Sequence, residues 1–176
     1  VIAGTQNTAS GQRAVIIGGS LNASIGESSS VMGGTRNTAT TIHSSVIAGS
    51  GNTVSGVRSS VVGGISNLSS GINSAVVGGG SNSATTNHSA VLGGYSNITL
   101  STASVVVGGH DNSVGNGQDG LYNMFAGGGR YNSVSDTDSS TIGGSGNTVS
   151  GERSAIIGGQ SLINPFDDTA MTQNLH

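Results

Sequence analysis

Cysteine, tryptophan and lysine are absent from this chain of 176 residues, which has a single proline and only 3% aromatic residues. Without cysteine there is no disulfide framework, and with so few rings there is too little bulk for an ordinary globular core. Charged residues make up 7% and the formal net charge is −3, so the basic footprint of a nucleic-acid partner is missing. No stretch approaches the roughly 18 consecutive apolar residues of a membrane span, and no membrane contact is expected within this segment. The chain begins at Val1 without a Met or a signal peptide. It is therefore expected to be an excised or processed piece of a longer protein, with any export signal or anchor outside it.

What is abundant is glycine, with 32 residues, and serine, arranged in a strict period. The phrase Ser59-Ser60-Val61-Val62-Gly63-Gly64-Ile65-Ser66-Asn67 recurs in near-copies, and its last residue marks every fifteenth position: Asn7, Asn22, Asn37, Asn52, Asn67, Asn82, Asn97 and Asn112. Asn132 and Asn147 follow after one longer step. Disordered Gly/Ser linkers have no reason to hold such offsets, so the period predicts an ordered all-β solenoid with one coil per copy.

Within each copy the β-branched pair, such as Val61-Val62, is too short for a helix and reads as a strand ended by Gly. A second strand is expected after each Asn, as in Asn52-Thr53-Val54-Ser55. Gly11, Gly26, Gly56, Gly71 and Gly151 are read as the other corner, where a left-handed turn would favour glycine. Coils of about fifteen residues would then stack in parallel at roughly 4.8 Å. Neighbouring strand residues point to opposite faces, so only one of Val61 and Val62 can face the interior. The apolar second face predicts a cover, and the natural one is an identical chain, making a homo-oligomer.

The Asn markers are assigned to architecture: side-chain amides stacked coil on coil, passing hydrogen bonds along the rod. Asn22, Asn67, Asn87 and Asn97 lie in Asn-x-Ser/Thr sequons, but three of these are markers, where a glycan would collide with the corner.

The rhythm breaks once, between Asn112 and Asn132, a step of 20. The β-roll is assigned to 1–159 with an insertion around 113–127. Residues 160–176, where Leu162 replaces the marker and Pro165 interrupts, are expected to form a cap or a transition to another module through Phe166, Met171 and Leu175. Insertions in repeats project as loops and often carry recognition. Asp119, Leu121, Tyr122 and Phe125 are accordingly the candidate ligand-contacting residues, and packing of Leu121, Tyr122, Met124 and Phe125 to seal an irregular coil is the competing reading.

Phrases such as Ser59-Ser60-Val61-Val62-Gly63 and Ser154-Ala155-Ile156-Ile157-Gly158 resemble the Ser-x-hydrophobic strand signature of the head repeats of trimeric autotransporter adhesins (YadA-like heads) and of related phage tail-fibre repeats. The likeness covers Val1 to Gln160, with a fifteen-residue period and a doubled Gly as this chain's own features. It implies a left-handed parallel β-roll assembled as a homotrimer, outside the cell, on a bacterial surface or in a phage fibre. Such a fibre or adhesin segment would meet a host-surface glycan or protein.

Other chemistry is poorly supported. A carbohydrate-processing tailspike would need two carboxylates across a cleft, and Asp111, Asp119, Asp136 and Asp138 cluster near the insertion. Asp is common at polar corners for backbone reasons, so no catalytic residue, metal or cofactor is assigned. His43 and His88 share a repeat position three coils apart, too far for one metal, and Arg13, Arg58 and Arg153 occupy the same position, as expected of an exposed face. An ice- or crystal-binding solenoid would need a regular threonine row. Thr8, Thr38, Thr53 and Thr148 make a partial one, interrupted by Ala23, Leu68, Ser83 and Ile98.

Overall fold

The computed structural model describes residues 1–118 and 120–173. Asp119 and Leu175 lie outside the described residues. Short strands alternate along the chain between two parallel sheets of eleven strands each. The first sheet runs from Thr8–Ala9 to Ile163–Asn164 and the second from Val15–Ile16 to Ala170–Thr172. Each strand pairs with its equivalents one coil before and after, as Ser60 and Val61 do with Ala75 and Val76. This is a parallel β-solenoid whose coils hold strand, corner, strand, corner. A third line of single bridges, from Thr5↔Ser20 to Ser145↔Gln160, follows the Gly-Gly corner.

The interior is thin. On the second sheet Ile16, Val31, Val46, Val61, Val76, Val91 and Val106 point inward and are fully buried, and facing them the first sheet offers Ala39, Val54, Ser69 and Ala84. A fully buried valine contributes roughly 1.5–3 kcal/mol relative to an exposed one, so one or two per coil give each coil little independent stability. Hydrogen bonding makes up part of the difference. Ser59 Oγ donates to the Gly56 carbonyl at 2.5 Å and Ser74 Oγ to that of Gly71 at 2.8 Å, part of a buried serine column that tightens the corner before most second-sheet strands.

The asparagines form a line, with most of its bonds running from side chain to backbone. The Asn82 amide N–H donates to Asn67 Oδ1 at 2.9 Å, while Asn67 Nδ2 donates to the carbonyls of Gly63 and Gly79. The same Oδ1 contact continues over the lengthened coil, where Asn132 N donates to Asn112 Oδ1, and ends with Leu162 N donating to Asn147 Oδ1. Direct amide-to-amide bonds occur from Asn97 to Asn82 and from Asn112 to Asn97.

The corner glycines differ from expectation. Gly11, Gly26, Gly56, Gly71 and Gly151 do not have positive φ; the left-handed residue comes two positions later, at Arg13, Arg58 and Arg153 and also at His43 and His88. What requires glycine at Gly56 is close approach, since a Cβ there would stand 2.0 Å from the Gly71 carbonyl oxygen. Left-handed glycine belongs to the opposite corner, at Gly64 with φ +86°.

Coil geometry also runs past Gln160. Ile163 pairs with Thr148 and Ala170 with Ala155, so the stretch expected to form a cap or a transition adds one more coil of altered sequence. Asn164 fills the inward place of Val149 and uses its amide to reach the carbonyls of Ala155 and Thr169.

Candidate recognition surface at the inserted coil

Register locates the insertion. Val105 pairs with Phe125, Thr102 with Tyr122 and Ser113 with Ser133, each a step of 20. All five extra residues therefore lie in the corner between Val114 and Tyr122, and the triple glycine 127–129 absorbs none.

The lengthened corner, with the coils beneath it, borders a cavity of about 420 Å³ whose walls include Thr85, Thr86, Ser101, Thr102, Gln118 and Tyr122. Its origin can be followed through one repeat position. Gly56 and Gly71 stand there in other coils, and where a hydroxyl residue replaces them it donates to the next coil: Thr41 Oγ1 to the Gly56 carbonyl at 2.6 Å and Thr86 Oγ1 to that of Ser101 at 2.7 Å. Ser101 occupies this same position beneath the lengthened coil. Its Oγ is buried and has no hydrogen-bond partner among the described residues. An unpaired buried hydroxyl is unfavourable, and here the lengthened corner closes over it, since a Cβ on Gly115 would stand 2.2 Å from Ser101 Oγ.

The four candidate residues do not act together. Tyr122 is 48% exposed and lines the cavity, and its carbonyl accepts the Asp138 amide N–H. Leu121 lines the cavity too but also packs on the core. Phe125 sits in the outer column of the second sheet beside Val105 and Ser140, away from the cavity. Asp119 lies outside the described residues. Met124 is fully buried in the core. The apolar cluster read in the sequence is thus divided among core, cavity and outer sheet face.

The acidic residues are divided as well. Asp138 accepts a hydrogen bond from Asn123 Nδ2 and Asp136 from the Thr137 amide, both near the insertion, whereas Asp111 sits at the opposite corner against His110. Among the described residues no three His, Asp or Glu side chains come together as a metal site.

No family model matches this chain, and no curated protein matches it.

Sequence reasoning missed a second surface group, at the third line of bridges. Tyr95, His110 and Arg130 each follow a Gly-Gly pair and stack coil on coil, with Tyr131 beside them. The signal was available: two of the three tyrosines fall at or next to the same repeat position.

Proposed function

We propose that this chain is a non-enzymatic extracellular fibre or adhesin segment, a left-handed rod that assembles as a homotrimer on a bacterial surface or in a phage fibre. The observation that carries the reading is an aliphatic row on the outer face of the second sheet, broken only at Gly127 among these coils. Ile17, Met32, Ile47, Val62, Val77, Leu92, Val107, Ile142 and Ile157 lie there, one per coil, from 39% exposed at Val62 to 53% at Ile157. The outward residue two places before each is mostly small, such as Ser60, Ala75 and Ala90. A flat aliphatic strip the length of the rod suits burial against copies of itself. Three copies around an axis would bury all three strips, and the cavity at the inserted coil would remain as a ligand site on the outside. Analytical ultracentrifugation of the chain, and of Val62→Lys and Val77→Lys variants, tests this. A trimer that the substitutions dissociate is expected, and a folded monomer in dilute buffer would overturn the assembly.

One observation favours an ice- or crystal-binding face. The outer side of the first sheet has a second hydroxyl column, giving the pairs Thr38/Thr40, Thr53/Ser55, Ser83/Thr85 and Thr148/Ser150. Ala23/Ile25, Leu68, Ile98/Leu100 and Gly115 interrupt it, and a thermal-hysteresis measurement tests it directly.

A further inference from the structure

The exposed group around His110 lies at the corner opposite the insertion and contributes to neither the core nor the aliphatic row. Tyr95 and His110 stack with ring centroids 5.3 Å apart and planes inclined by 22°. Tyr131 meets His110 edgewise at 5.8 Å, and the Arg130 guanidinium stands 5.5 Å from the Tyr131 ring centre. His110 Nδ1 is 2.8 Å from Asp111 Oδ2. Tyr95 and Tyr131 remain 53% and 55% exposed. The group spans three consecutive coils, roughly 10 Å along the rod.

Three features build this corner. Tyr131 holds a left-handed backbone, φ 56°, at a position where Ser66, Ser81, Ser96 and Ser161 stand in other coils. Arg130, like Arg36 and Arg58, has no carboxylate partner among the described residues, whereas Arg13 pairs with Glu27 and Arg153 with Asp168; Arg130 alone of the three stands against an aromatic ring. Gly80 leaves the place before Tyr95 without a side chain, and the Tyr95 ring reaches into it, 3.1 Å from where a Cβ would be. The result is an aromatic ridge with a free guanidinium at one end and a carboxylate beside it, on a chain whose net charge is −3.

We infer that the ridge formed by Tyr95, His110, Arg130 and Tyr131 binds a carboxylated sugar. Aromatic rings offer apolar surface to the C–H face of a pyranose, and tyrosine hydroxyls add polar contacts at the rim. The Arg130 guanidinium matches a sugar carboxylate with two parallel N–H donors, and Asp111 accepts hydrogen bonds from ring hydroxyls. The inference deepens the adhesin reading by giving it a ligand class.

The test is calorimetric titration of the whole chain with 3′-sialyllactose, using lactose as the neutral comparison, and with melting temperature and oligomer size measured on the same samples. Saturable binding of 3′-sialyllactose is expected, at least tenfold tighter than lactose. Arg130→Gln should reduce it to the lactose level and Tyr131→Ser should abolish it, both without changing melting temperature or oligomer size. Arg58→Gln, at the opposite corner and outside both surface groups, should leave it unchanged. Absence of binding, equal binding in Arg130→Gln, or a fall in melting temperature or oligomer size in that variant would overturn the inference. Because oligomer size is read separately, failure of the ridge and failure of the trimeric rod give different results.

Discussion

The Phe125 ring lies over Gly127, with its Cε1 3.0 Å from where a Cβ on that glycine would stand. Gly127 is the residue that interrupts the aliphatic row between Val107 and Ile142, so the ring of Phe125 covers the place that an aliphatic side chain fills in other coils. Phe125→Ser and Gly127→Ile should each destabilise the chain, the first by exposing the gap and the second by displacing the ring. The double variant restores the ordinary phrase and should be more stable than the sum of the two changes, with a coupling of about 0.5–3 kcal/mol in chemical denaturation. Additive effects would show that ring and gap are independent.

Asn67→Leu removes the acceptor of the Asn82 amide and the donor to the carbonyls of Gly63 and Gly79. Each buried group left unpaired costs about 1–3 kcal/mol, so this variant should melt well below the parent. Leucine occurs naturally at this position only at Leu162, where the line of asparagines ends. An unchanged melting temperature for Asn67→Leu would show that the contacts carry little net stability.

Ser101→Ala should be neutral or mildly stabilising, because the hydroxyl it removes has no partner. Deleting Asn116 to Gly120 returns the coil to fifteen residues and should close the cavity while raising the melting temperature. Lower stability in the deletion variant would mean that the long corner is itself needed for packing, and a differential-scanning measurement on both variants decides it.

Acid should loosen the last corner first. Hydrogen bonding from Arg153 holds the Asp168 carboxyl below its ordinary value. A depressed carboxylate gives stability that is present above the unfolded-state value and is lost as pH falls through the folded one. Both side chains are exposed, so the effect is local. Hydrogen exchange at the Asp168 amide, bonded to the Glu152 carbonyl, should accelerate as pH falls beyond the intrinsic trend. Arg153→Gln should abolish that excess, and an identical profile in the variant would refute the linkage.

The solenoid was legible because its causes are periodic: Val61 and Val76, Gly64 and Gly79, and Asn67 and Asn82 repeat at one interval, and parallel stacking places each on its copy. Whatever depends on backbone dihedrals was less visible. Gly56 resembles a left-handed turn residue, yet the left-handed residue is Arg58, whose side chain carries no sign of it. Phe125 was grouped with Tyr122 because they are close in sequence. Strand alternation instead sends Phe125 to the outer sheet face, where its partner is the small residue two places on. The Tyr95 ridge went unread because its members are fifteen to twenty residues apart and meet only after stacking.

The parallel bridges join each coil only to the one before and the one after, with their hydrogen bonds directed along the rod. Tension applied at its two ends therefore loads the coils in series, and the weakest peels while the others stay closed. Each fifteen-residue coil that opens releases roughly 50 Å of extended chain in place of a rise of about 4.8 Å. The coil between Val105 and Phe125 would release about a third more. A solenoid built this way lengthens in discrete steps under load, dissipating a pull instead of transmitting it whole from one end to the other.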